Sequence, residues 1–248
     1  MSTASKSSSS SPQVGDGAVA RFIKNLFLRE GQIAAAEALT EHFHLVSLQG
    51  EALKNIDWTP GDKIQISLGQ GFVMRTYTPI IWDNVAGQTR FLVHASGGTP
   101  GSYWAGQVRS GGVVQFMGPR SSLDLSSISS AVLFGDETCF GLAAALRNTA
   151  HSKNAPCLFE VNDPAESAIA LAGIGIANAI LVQRESGESH LTAIHTELRR
   201  VANKDTRFVL SGKAASIRSV RQTLIATGIH PSQMKTKAYW APGKVGPD

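Results

Sequence analysis

Hydrophobic and polar positions alternate in short bursts over the first half of the chain, and the rhythm changes near residue 130. From about 33 to 126, six apolar-alternating runs occupy 32–40, 42–50, 63–69, 72–82, 89–96 and 113–118. Turn signals separate them at Pro60-Gly61-Asp62, Ala86-Gly87-Gln88 and Gly111-Gly112. Short strands at this spacing predict a Greek-key antiparallel barrel. Beyond 130, continuous apolar runs at 131–136, 155–161, 179–184 and 206–212 are interleaved with helical periodicity over 138–150, 189–203 and 214–228, and a last run fills 235–240. Strands alternating with helices predict a doubly wound parallel sheet. The expected organisation is a Ser-rich disordered tail (1–20), a β-barrel domain (21–128) and an α/β domain (129–248).

Composition narrows this picture. The chain has 248 residues, 42% hydrophobic and 17% charged, enough for two modest domains. No window approaches the ~20 apolar residues of a membrane span. The polar start "MSTASKSSSSSPQVGDG" has no apolar signal core. A cytoplasmic protein is expected. Cys139 and Cys157 stand in apolar surroundings that suit buried thiols, and two cysteines are too few for an iron–sulfur cluster. A net charge of +4 suits anionic ligands, but no Lys/Arg run with interleaved aromatics suggests nucleic acid.

Two stretches carry chemistry. In "RTYTP" (75–79), period-two alternation puts Arg75 and Tyr77 on one face of a strand, where a cation and a ring can hold two parts of one ligand. Pro79 marks the end of the hydrogen-bond ladder; an exposed edge strand would read the same way. In "SGGTPGSYWAG" (96–106), Gly97, Gly98 and Gly101 allow close backbone approach, and Ser102 is a fitting N-cap for a short helix whose bare amides attract phosphate. A plain glycine-rich loop is the simpler alternative.

Together, "RTYTP", "HASGGTPGSYWA", "GPRSSLDL", "GDET" and "YWAPGK" resemble the siderophore-interacting, FAD-binding reductases of the ferredoxin-reductase-like superfamily, over about residues 30 to 244. The resemblance implies an NAD(P)H-dependent flavoprotein that reduces ferric siderophores, with FAD and either NADPH or NADH as cofactors. By that likeness Arg75 pairs with the FAD diphosphate, Tyr77 lies against the isoalloxazine, Thr78 bonds near its reactive nitrogen and His94 approaches from the next strand. Gly101 and Ser102 serve the phosphates. A general flavin or quinone reductase on the same scaffold, or a flavin or siderophore binder without turnover, is the alternative.

The same likeness extends to the second half. Asp136-Glu137-Thr138 would line the nicotinamide cleft, although Thr138 reads as readily as a helix cap. Arg184 and Lys213 fall at strand ends where they could hold an NADP 2′-phosphate. Trp240 would cover the flavin or gate the nicotinamide, and Lys235, Lys237 and Lys244 could attract an anionic iron complex; lysines on an edge strand also guard against aggregation. Three family positions differ: Gly141 stands where proline is usual, Lys213 where an acid is common, and Ala241 where an arginine is usual. "GIGIAN" (173–178) lacks the third glycine of a dinucleotide fingerprint. His42 and His44 share a strand face without a third metal ligand, and His190 and His195, five apart, do not share a helix face.

Overall fold

The computed structural model describes residues 28–69, 73–123, 125, 131–148 and 156–243. The Ser-rich stretch 1–20 and Lys244 lie outside them. Seven antiparallel strands form the first sheet: β1 (Arg29–Ala38), β2 (Phe43–Gln49), β3 (Lys63–Ser67), β4 (Met74–Tyr77), β5 (Pro79–Asp83), β6 (Gln88–His94) and β7 (Val113–Arg120). A short helix, α1 (Pro100–Gln107), joins β6 to β7. The strand order is β4-β3-β7-β1-β2-β6-β5. Its two ends, β4 and β5, are consecutive in the chain with Thr78 alone between them, so the sheet must curl until its edges meet. The expected barrel is present, and the single run 72–82 is two strands rather than one.

Thr78 is the break because the chain changes partners there. β4 pairs with β3, Tyr77 opposite Ile64, whereas β5 pairs with β6, Pro79 opposite Phe91. Proline, having no N–H to donate, can open the new strand at its edge. Inside the curl, Val46, Ile64, Ile66, Phe91, Val93 and Phe116 form a buried cluster from inward-facing alternate positions.

The second sheet is parallel throughout, in the order β10-β9-β8-β11-β12. Its strands are β8 (Val132–Asp136), β9 (Cys157–Val161), β10 (Ala179–Gln183), β11 (Phe208–Lys213) and β12 (Met234–Trp240). The connecting helices are α2 (Phe140–Arg147), α3 (Pro164–Gly173), α4 (Leu191–Val201) and α5 (Ala214–Ala226). The first three central strands are buried at nearly every position, as a sheet covered on both faces requires. Helix α3 had no counterpart in the predicted pattern. Asp163 caps it by accepting from the amides of Ala165 and Glu166, with Pro164 at its first position.

Two cores flank this sheet. Phe134, Leu158, Phe208 and Leu210 face Leu191, Ile194, Leu198, Val220 and Leu224 of α4 and α5. On the other face, Leu133, Phe159, Val209 and α2 pack in one cluster with Phe43, Leu45, Ile80 and Leu92 of the barrel. The barrel and the parallel sheet therefore share a hydrophobic core. Asn148 adds a polar tie, donating to the carbonyl of Ile80 at 3.1 Å.

A candidate cofactor cleft at the seam of barrel and sheet

The strand order reverses between β8 and β11, and in such sheets ligands lie outside the carboxyl ends at that switch point. Here those ends face the rim of the barrel across a cleft of about 540 Å³. From the barrel it is lined by Arg75, Tyr77, Thr78, His94 and Gly101; from the sheet by Glu137, Thr138, Asn162, Arg184, Lys237, Tyr239 and Trp240.

Strand β4 delivers the first set. Tyr77 stacks on Phe91 with ring centroids 4.9 Å apart and flanks Trp104 of α1 at 6.4 Å. Its burial pushes the phenol well above the usual range, so it stays neutral. Arg75, two residues earlier, is half-buried and donates to its neighbour's carbonyl, Met74 O, at 2.9 Å. It has no carboxylate partner among the described residues. Gly101 sits against both, in reach of the Tyr77 hydroxyl and the Arg75 side chain.

Helix α1 starts one turn earlier than expected. Thr99, not Ser102, is the N-cap: its hydroxyl accepts from the Ser102 amide, and Pro100 takes the first helical position. The N–H of Tyr103 goes to Thr99 O. Ser102 donates its own hydroxyl to the carbonyl of Ser96 at 3.0 Å and does not line the cleft. Thr99 and Gly101, rather than Ser102, present the helix start to the site.

His94 closes the barrel side. It stacks on Phe43 at 4.7 Å, within a series that continues to Phe140 of α2. Burial holds its imidazole below the usual range, against the pull of Glu137, which leaves it neutral near pH 7.

From the sheet side, Asp136 organises without reaching the cleft. It is fully buried and accepts from the amide and hydroxyl of Thr138 and from the indole N–H of Trp240, at 2.7 Å. Asp136, not Thr138, is thus the local cap. Burial pushes its carboxyl up to about 6, against those hydrogen bonds. Gly212 makes room for it: φ is +101°, and a Cβ there would stand 2.5 Å from Asp136 Oδ2. Trp240, 37% exposed, is held over the switch point by this bond. Next to it, the half-buried phenol of Tyr239 meets the hydroxyl of Thr78 at 3.3 Å, a direct link from last strand to barrel.

Gly141 explains one departure from the family pattern. A Cβ at this position would lie 2.9 Å from the carbonyl oxygen of Thr78. The first turn of α2 rests on the β4–β5 junction so closely that only hydrogen fits.

The two cations expected to meet a 2′-phosphate are both engaged. Arg184 forms a two-pronged pair with Glu137, the nearer contact 3.0 Å, and also donates to Asn162 Oδ1 and Glu160 O. Lys213 lies 12% exposed and pairs with Glu188 outside the cleft lining. His190 is buried; its Nδ1 accepts from the Glu185 amide, leaving Nε2–H to bond Glu160 Oε2 at 2.9 Å. His42 pairs with Glu166 of α3, tying the β1–β2 turn to the second sheet. No group of three His, Cys, Asp or Glu that could hold a metal occurs among the described residues. Of the three lysines, Lys237 lines the cleft and Lys235 does not.

The site fits FAD on its own features. A guanidinium without a carboxylate partner, a helix start with an amide to spare, a neutral stacked phenol and an indole at the opposite wall match a ligand that is pyrophosphate at one end and an aromatic ring system at the other. Arg75, Thr99 and Gly101 would hold the phosphates, and Tyr77, Thr78, His94 and Trp240 the ring.

Barrel and parallel sheet together have the ferredoxin-reductase-like fold. The sequence matches the siderophore-interacting FAD-binding domain over residues 65–123 and the siderophore-interacting protein family over residues 128–243. The chain belongs to that siderophore-interacting, FAD-binding family. It is similar in structure to a siderophore utilization protein from T. fusca: TM-score 0.69, 18% identity, 89% of this chain and 95% of that one covered. A siderophore-interacting protein from Acinetobacter baumannii aligns with TM-score 0.66 at 15% identity, covering 88% of this chain and 91% of that one. A ferredoxin NADP+ reductase from Neisseria gonorrhoeae with bound FAD and NADP aligns with TM-score 0.65 at 14% identity, covering 86% and 99%. At these identities the likeness is one of fold. No curated protein matches the sequence.

Proposed function

We propose that the protein is an FAD-dependent NAD(P)H oxidoreductase that reduces ferric siderophore complexes in the cytoplasm. The observation that carries this reading is the meeting of Arg75, Tyr77 and Thr78 with Thr138, Tyr239 and Trp240 in one cleft. Bound FAD supplies the exchange between a two-electron nicotinamide donor and a one-electron Fe(III) acceptor.

The chain's residues bind, orient and exclude water. Arg75 and the start of α1 anchor the phosphates, and Tyr77 stays neutral and stacked so that the ring lies in a fixed plane. Thr78, fixed by Tyr239 and by the carbonyl contact with Gly141, holds one hydroxyl at the ring edge. Trp240, clamped by Asp136, covers the opposite wall and must yield when a nicotinamide enters. Lys237 has no carboxylate partner among the described residues, and its charge draws an anionic ferric chelate to the open side. Once reduced, iron binds hard anionic oxygen ligands less tightly, so release needs no acid–base pair from the protein.

The experiment is anaerobic mixing of the FAD-loaded protein with NADH or NADPH, followed by ferric hydroxamate, ferric catecholate or a quinone. Bleaching by nucleotide and return of colour with the ferric chelates supports the reading. Return with quinone alone makes the protein a general reductase, and no bleaching by either nucleotide makes it a binder.

A further inference from the structure

The nucleotide preference is written in the ion pairs at the carboxyl edge of the parallel sheet, and it rests on the reading of this cleft as a pyridine-nucleotide site. NADH and NADPH differ by one 2′-phosphate, which carries about −1.5 to −2 charges at pH 7. A site for NADPH offers a cation to that group; a site for NADH offers a carboxylate to the ribose hydroxyl. The cations at the ends of β10 and β11 are Arg184 and Lys213.

Neither cation is available. Four contacts occupy Arg184: the two oxygens of Glu137, the Asn162 side chain and the Glu160 carbonyl. The Glu137 carboxylate is itself 5% exposed and also takes the Asn162 amide at 2.6 Å, so it cannot swing aside without stranding a buried charge. Lys213 is taken by Glu188 from the segment between β10 and α4. Exposed Glu185 stands on that same segment, hydrogen-bonded to Ser189, and Glu160 lies beneath it against His190. Lys237 does not replace them: although β12 pairs with β11, Lys237 shares a strand face with Tyr239, two residues on, which turns to the barrel and meets Thr78.

The geometry points to a site that takes NADH in preference to NADPH, because Glu137 and Glu188 already neutralise the cations a 2′-phosphate needs and the surrounding carboxylates repel it. Glu188 is the specificity-determining residue that can be tested without disturbing the fold, since it is 43% exposed and its ion-pair partner is Lys213.

The test is calorimetric titration of the FAD-loaded, full-length protein with ADP-ribose and with 2′-phospho-ADP-ribose, in the wild type and in Glu188→Gln. The wild type binds ADP-ribose at least ~tenfold more tightly, equivalent to about 1.4 kcal/mol, and E188Q narrows that gap by roughly threefold or more as Lys213 is released. The ratio of kcat/KM for NADH over NADPH moves in parallel. Equal or tighter binding of the 2′-phosphorylated fragment by the wild type overturns the NADH assignment and leaves the nucleotide site standing. A gap unchanged in E188Q overturns the role of Glu188. Binding of neither fragment overturns the nucleotide site itself, and the preference with it.

Discussion

The carbonyl oxygen of Thr78 and the α-carbon of Gly141 are in such close contact that a methyl group on Gly141 would fall 2.9 Å from the oxygen. The contact joins the strand junction of the barrel to the first turn of α2. It sets the distance between the two walls of the cleft.

Gly141→Ala therefore forces the walls apart. Overpacking of this kind costs about 1–3 kcal/mol. The variant melts several degrees lower and binds FAD more weakly, read by thermal denaturation with and without added FAD. A stable variant with full FAD affinity would show that the seam is looser than this contact implies.

Arg75→Ala removes a charge that no carboxylate shares among the described residues, so its loss falls on the ligand and not on the fold. A charge-assisted hydrogen bond contributes about 1.5–3 kcal/mol, which weakens FAD binding roughly ten- to hundredfold. Flavin fluorescence titration measures it, and the melting temperature of the flavin-free protein stays put.

These two residues show how far the sequence could be read. Arg75, Tyr77, Thr78 and His94 were legible because strand alternation and a short motif fix which face each occupies, and the structure brings all four to the cleft. The barrel and the parallel sheet were legible from the change in apolar rhythm. Partners distant in sequence were not. Arg184 meets Glu137 from 47 residues away, and His42 meets Glu166 from 124. Periodicity says nothing about such pairs, so Arg184 and Lys213 read as free cations. The contacts of Tyr239 and Glu137 were hidden for the same reason: the first works through Thr78, the second through Arg184. The cap at Thr99 was missed although Thr-Pro is itself a helix-start signal. Helix α3 was missed because its Ala-rich apolar positions lack a sharp polar face.

Asp136 makes stability depend on pH in a direction unusual for an aspartate. Unfolded, this carboxyl titrates near 3.9; folded, burial raises it to about 6. Between those values the native state keeps a proton that the unfolded chain has lost. The stabilisation is full below about pH 4 and is lost as pH rises through about 6. Urea unfolding of wild type and Asp136→Asn, compared at about pH 4 and pH 7, shows the wild type's margin shrinking toward pH 7. A margin that grows instead would mean that the Trp240 and Thr138 bonds hold the carboxylate more firmly than burial opposes it.

Lys237→Ala separates attraction of substrate from electron transfer. With an anionic ferric chelate, kcat/KM falls roughly three- to tenfold at low ionic strength, and the deficit fades as salt screens the field. With a neutral quinone the variant matches the wild type. Equal loss on both acceptors would place Lys237 in the flavin site rather than on the path of the iron complex.

The most direct measurement is the visible spectrum of the protein after incubation with excess FAD and removal of the free flavin, followed by anaerobic addition of NADH and then ferric hydroxamate. One FAD per chain, bleaching by the nucleotide and recovery of colour as ferrous iron appears is the predicted course. A protein that leaves the desalting column colourless would contradict the assignment of this cleft to FAD, and with it the function proposed for the chain.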